Sequence, residues 1–316
     1  MRSESWVDEA TGRKFFVDFA DDADQRDDLT FVLSLHGGGS VGMWQRLYFP
    51  AQDFADALGL VVATPSSKTK QPMSHWDAEA DDEHLKAIVA AVTERFGPRL
   101  RSFWLAGHSQ GGMTSNRLLR DPWWGARVDG WLSLSGGRIG QAPFVEDFGP
   151  PRTEEERKAM AEFMARRRAE ALGRDGSLPE ADFSFVFAVG EHEIASLPDT
   201  SPWAERYGAG PRASAPDVVD EAGGQVHDGR FEGRYTKSWG REPRGGIANV
   251  WLYPNARDGR VIADVVRLDK GHTEGLEPNV TRRILELIVS APGGKLTASA
   301  AGAANAAAST SSRRRP

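Results

Sequence analysis

The sequence predicts an α/β protein: a mainly parallel, doubly wound sheet with helices on both faces. Two observations predict it. First, the apolar runs Thr30–Leu35, Leu60–Pro65, Phe103–Ala106 and Phe183–Val189 are continuous, without the in–out alternation of a sheet that keeps one face wet. Runs of that kind suit strands buried on both faces. Second, stretches with helical spacing separate the earlier strand-like runs, and strand–helix alternation implies parallel neighbours. With 316 residues, 40% of them hydrophobic, the chain is long enough to cover such a sheet on both sides.

Taken in order, residues 6–19 read as one or two edge strands with a turn at Thr11-Gly12. Acidic residues from Asp18 to Asp28 suggest a solvated loop. The strand Thr30–Leu35 ends in His36-Gly37-Gly38-Gly39-Ser40, and glycines just past a buried strand can offer backbone N–H groups to an anion. Residues 50–58 look helical, with Phe54, Ala55 and Leu58 on one face, before the strand Leu60–Pro65. Residues 78–96 form an amphipathic helix, because Leu85, Ile88, Val89, Val92 and Phe96 recur at three- and four-residue steps. Asp81, Asp82 and Glu83 fall in its first turn and read as capping charges rather than catalytic carboxylates. Gly97-Pro98 stops that helix. A strand then leads into Gly107-His108-Ser109-Gln110-Gly111-Gly112 and a helix-like run from Met113 to Arg120.

Val128–Ser135 is another strand, closed by Gly136-Gly137. Residues 141–182 break the alternation with a Pro-rich loop and a charged helix from Thr153 to about Leu172. Thr153 and Glu156 make its capping box, and Arg166-Arg167-Arg168 lies on a solvated face or on a lid. Phe183–Val189 resumes the sheet and runs into Gly190-Glu191-His192-Glu193. Residues 196–248 show little periodicity and suggest a loop-rich excursion over the active site. Val250–Tyr253 and Val261–Leu268 read as a hairpin or two sheet-edge strands. After Asp269–Gly275, a last helix over 278–290 buries Val280, Ile284, Leu287 and Ile288. One domain is expected over 1–295, with 141–182 and 196–248 as insertions. A disordered tail is expected over 296–316, rich in Ala, Ser and Thr and ending near Arg313-Arg314-Arg315.

Composition narrows the chemistry. The net charge of -6 argues against nucleic acid as the main partner. With no cysteine there is no disulfide framework, thiol nucleophile or thiolate metal site, and no metal or cofactor is expected. No run of ~18 apolar residues suggests a membrane span. The N-terminus, Met1-Arg2-Ser3-Glu4-Ser5-Trp6, lacks the apolar core of a signal peptide, so a cytoplasmic location is expected unless a leader has been removed.

The residue types that remain point to acyl transfer. It needs a nucleophile, a base for its proton, and a carboxylate to orient that base. Ser109 stands between glycines at a strand–helix turn, where its hydroxyl would project above the sheet next to a helix N-terminus. In a doubly wound hydrolase sheet the partners follow in the order acid, then histidine. His272 fits the base, in the loop between the final strand and the final helix; His227 is its rival in an irregular segment. Glu193 fits the acid, three residues past Gly190, with Glu191 and then Asp199 as alternatives and His192 as structural. Backbone N–H groups of Gln110 and Gly38 would serve as the oxyanion hole, while the side chains of His108 and Gln110 pack or touch substrate. Trp44, Trp76, Trp203 and Trp239 are candidates to wall a substrate cleft, with core packing as the alternative for each.

Leu35-His36-Gly37-Gly38, the elbow around Ser109, Gly190-x-x-Glu193 and Gly271-His272 together resemble the α/β-hydrolase superfamily over about residues 28–290. Within it the chain looks most similar to the poly(3-hydroxybutyrate) depolymerase-like and feruloyl or acetylxylan esterase branch. That branch often carries aspartate and cysteines where this chain has glutamate and none. The resemblance implies a serine hydrolase that cleaves small or oligomeric carboxylic esters through an acyl-enzyme. A serine peptidase or amidase on the same fold and a non-catalytic hydrolase-like binding protein are the alternatives.

Overall fold

The computed structural model describes residues 1–70, 73–139, 153–155, 158, 178–194, 196–231 and 236–299. Its strands are β1 (Arg2–Asp8), β2 (Arg13–Phe19), β3 (Leu29–Leu35), β4 (Leu60–Pro65), β5 (Leu100–His108), β6 (Gly130–Leu134), β7 (Ser184–Gly190), β8 (Ala213–Asp220), β9 (Gly246–Leu252) and β10 (Ile262–Arg267). They form one sheet in the order β1-β2-β4-β3-β5-β6-β7-β10-β9-β8. The six inner strands from β4 to β10 run parallel, and the pairs at both margins are antiparallel. This is the mainly parallel sheet that the apolar runs imply.

Side chains alternate across each strand, so each inner strand feeds two cores. In β3, Phe31, Leu33 and Leu35 enter one core and Val32 enters the other. The helix α1 (Gly42–Tyr48) and the short helix α2 (Ala55–Leu58) belong to the Val32 side, with Tyr48 and Ala55 in its core. Helix α3 (Ala78–Phe96) lies on the other side, where Leu85, Ile88, Val92 and Phe96 are buried. The last helix (Pro278–Ser290) returns to the Val32 side and buries Val280, Ile284, Leu287 and Ile288 together with Leu285. Each such fully buried side chain contributes about 1.5–3 kcal/mol relative to exposure.

Several expectations change on contact with the structure. The cap of α3 is Asp77, whose carboxylate accepts from Ala80 N–H, and not the acidic run after it. Asp81 is buried and held by Arg13 at 2.7 Å and by the N–H groups of Lys68 and Asp77. Asp82 pairs with Arg117 and Glu83 with Lys86. Asp18 is not in a solvated loop; it sits buried on β2, paired with Arg46 at 2.6 Å. The segment 196–248 is not loop throughout, since it carries a helical turn (Pro202–Arg206) and the outermost strand β8. β9 and β10 pair antiparallel as the expected hairpin, but with β8 outside them they lie inside the sheet rather than at its edge. Leu296 is buried, and Lys295 and Ser299 bond to the carbonyls of Gly125 and Ala126, so packing continues past residue 295. The expected helix from Thr153 to about Leu172 lies outside the described residues apart from 153–155 and 158, as does the tail from 300 to 316. Among the described residues no helix is long and apolar enough to cross a membrane, and no His, Cys, Asp and Glu cluster could hold a metal ion.

Candidate active site

β5 delivers Ser109 to the C-terminal edge of the sheet, directly before α4 (Gln110–Leu118). Ser109 has φ +51° and ψ -117°, a conformation that costs a side-chain-bearing residue on the order of 1–3 kcal/mol. The turn is kept by close packing. A Cβ on Gly107 would overlap the backbone of Gly111, and one on Gly111 would overlap the Leu35 carbonyl. Ser109 N–H donates to Leu134 O at 2.8 Å, tying the elbow to β6.

His272 comes from the loop after β10. Its Nε2 is 2.9 Å from Ser109 Oγ and its Nδ1 is 2.6 Å from Glu193 Oε2. Glu193 lies in a turn just after β7 and its side chain is only 2% exposed. Its other oxygen accepts from Gly190 N–H at 2.9 Å and from Ser135 Oγ at 2.7 Å. A carboxylate so held presents its Oε2 to the imidazole. Glu191 points elsewhere, accepting from Asp269 N–H, and Asp199 pairs with Arg212 at the surface. His192 bonds Asp269 through Nε2 at 2.8 Å. His227 belongs to the neighbouring segment in which Val226 O accepts from Gly275 N–H. The ring at Ser109 is that of His272.

His272 is clamped from two sides. His272 N–H donates to Ser238 O at 2.8 Å, and its carbonyl accepts from His108 Nε2 at 2.8 Å. Because that partner is a carbonyl, His108 is the Nε2–H tautomer. Burial, and then the nearby His272, hold His108 well below the usual imidazole range, so it stays neutral. Tyr48 OH also reaches His272 O, at 3.3 Å. Below the loop, Arg267 and Lys270 share Glu277 at 2.8 Å each, all three nearly sealed from water. Glu274 accepts Gly271 N–H and pairs with Arg244 at 2.6 Å.

Gly38 and Gln110 are neighbours: a Cβ on Gly38 would sit 3.4 Å from Gln110 Oε1. Gly39 N–H is already bonded to Ser74 O, so it is not available to a substrate oxygen. Under this loop His36 takes Ser67 N–H on Nε2 at 2.9 Å and donates from Nδ1 to Gly37 O at 2.7 Å. Burial drives its pKa down to about 4, so it too is neutral.

The four tryptophans separate. Trp203 is fully buried and stacked on Phe183, with Nε1 donating to Phe183 O; it is core, not cleft wall. Trp76 is also buried, its Nε1 donating to His36 O at 2.8 Å, and it braces the glycine loop from behind. Trp44 is half-buried, stacked on Tyr48 and 5.5 Å from the His108 ring. Trp239 is half-buried with its ring 5.3 Å from that of His272. Sequence reasoning missed Ser135 and Tyr48. Ser135 lies at the end of β6 with φ +52°, where Ser-Gly-Gly signals a turn but nothing marks which hydroxyl meets the acid.

No family model and no curated protein matches the chain. Solved structures do. The acetyl xylan esterase from Aspergillus awamori is similar over 91% of this chain and 100% of its own, at 10% identity and TM-score 0.50. The S-formylglutathione hydrolase from Agrobacterium tumefaciens is similar over 60% of this chain and 74% of its own, at 16% identity and TM-score 0.36, too low to weigh further. Sheet order, elbow and the first of these likenesses agree: the chain has the α/β-hydrolase fold.

Proposed function

We propose that the protein is a serine hydrolase of carboxylic esters that works through an acyl-enzyme. The observation that carries this is the unbroken hydrogen-bond chain Ser109–His272–Glu193 at a strained strand–helix elbow. His272 takes the Ser109 proton as Oγ adds to the ester carbonyl. The negative oxygen that forms is received by the N–H groups of Gln110 and Gly38, beside the N-terminus of α4. His272 then gives its proton to the departing alcohol oxygen, the carbon–oxygen bond breaks, and the acyl group stays on Ser109. Water, deprotonated by the same imidazole, releases the acid. Glu193 orients the ring and balances its transient charge. Trp44 and Trp239, half-buried beside the His108 and His272 rings, are the aromatic candidates for substrate contact.

The test is Ser109→Ala against p-nitrophenyl acetate. Turnover should fall by on the order of 10⁴–10⁶ with the fold intact, and a fluorophosphonate probe should label only the wild type. Near-wild-type turnover in a folded variant would sink the reading.

A further inference from the structure

We propose that Trp239 is a positioning residue of the base and not a wall for substrate: its ring lies against His272 and stabilises the imidazolium formed when Ser109 attacks. The inference rests on reading His272 as that base. The two rings have centroids 5.3 Å apart and planes 34° from parallel, within the range at which a cation feels the negative face of an indole. His272 also meets the His108 ring, at 4.9 Å. The imidazole thus neighbours an electron-rich ring and a neutral one, with Glu193 on its edge.

The strap that carries the ring is tied to the His272 loop through its backbone. Ser238 O and Trp239 O accept the N–H groups of His272 and Thr273, and Thr273 Oγ1 also donates to Trp239 O. A Cβ on Gly271 would overlap Lys237 O, and one on Gly240 would overlap Thr273 Oγ1. Only with glycine at both positions does the strap 237–240 close on the base. The backbone of Trp239 is thereby fixed beside the His272 loop, with the ring against the imidazole.

The other charges around His272 do not substitute for this contact. Tyr48, from α1, is kept protonated by burial. Lys237 on the strap is exposed, and His227 and Asp228 stand by Thr273 through the Asp228 N–H to Thr273 Oγ1 bond. On the loop itself Lys270 is paired with Glu277, Glu274 with Arg244 and Asp269 with Arg241; Arg267 beneath is paired with Glu277. His108 is held neutral, so no second cation opposes the imidazolium from the facing ring.

The experiment compares wild type, Trp239→Leu and site-specifically fluorinated tryptophans at 239. Fluorination drains the ring face without changing its shape, which keeps the test valid if the leucine variant does not fold. The acid limb of the p-nitrophenyl acetate rate profile and the NMR titration of His272 are read in each. Losing the ring should lower both midpoints by about half a unit to one unit, stepwise with fluorine number, with kcat reduced several-fold and KM unchanged. Midpoints that stay in place overturn the proposal: with a raised KM, Trp239 is a substrate wall, and with unchanged kinetics it is packing alone. The NMR titration needs no turnover. A wild type without esterase activity would therefore defeat the function proposed above while the effect of Trp239 on His272 is still decided.

Discussion

Glu191 and Glu193 leave the same strand, yet one carboxylate is exposed on Asp269 N–H and the other is buried against His272. Two residues of sequence separate them, and a tight turn after Gly190 separates their environments. Glu193→Gln should therefore lower ester turnover by on the order of 10⁴, since the amide neither orients nor neutralises the imidazolium. Glu191→Gln should leave turnover within about twofold, as expected for an exposed loop position. Both are measured side by side on one ester, and the reverse pattern would move the acid to Glu191. Ser135→Ala removes one of the two donors on Glu193 Oε1, so kcat should fall by about tenfold with KM unchanged. No change in kcat would make Ser135 a turn residue only. Glu193 was legible from its distance past Gly190; Ser135 was not, because a hydroxyl 58 residues earlier in the chain reaches it only through the pairing of β6 with β7.

The same contrast holds for elements. β3, β4, β5 and β7 were readable because both faces of each are buried, which leaves an uninterrupted apolar run. β8 was not, because it is the sheet's outer margin, mostly exposed, with Pro216 and a register shift between Ala215 and Val218. Its pattern is set mainly by solvent and by one neighbour, with only Ala215 and Val218 packed against a core. The acidic start of α3 was legible only in part: Asp81 accepts the N–H of the cap residue Asp77, but it also meets Arg13 from β2, a long-range pair invisible to local charge rules. The loop that carries His272 depends on such pairs as well. Glu277 binds Arg267 and Lys270 together. Burial raises its pKa, but the two cations outweigh that and leave it lowered. Glu277→Gln should cost about 3–5 kcal/mol, since two buried cations lose their shared anion. Urea unfolding reads this, and a loss below about 1 kcal/mol would show that the cations find other partners.

At the scale of the whole molecule, several buried imidazoles set a limit on acid stability. His36 is held at about 4 against the ordinary 6.5, first by burial and with only partial compensation from the Gly37 carbonyl. His84 is lowered too, by burial that outweighs its bond to Asp8, and His108 is lowered well below 6.5. In the unfolded chain these rings take up protons as pH falls below about 6.5, while in the folded chain they do not. The unfolded state then binds more protons, so stability is fully present above about 6.5 and drains away as pH falls toward about 4. For His36 alone the difference corresponds to about 3 kcal/mol by the lower end of that window. Lowered carboxylates such as Glu277 act in the same sense, but only below the ordinary glutamate value of 4.5, so the upper part of the window belongs to the histidines. His36→Gln keeps a donor for the Gly37 carbonyl and an acceptor for Ser67 N–H while removing the titrating ring. Urea midpoints between pH 7.5 and 4.5 should fall steeply in wild type and less steeply in this variant, even if the variant is the less stable of the two at pH 7.5. Equal slopes would show that His36 protonates within the fold, and that the glycine loop beside Ser109 tolerates a charge beneath it.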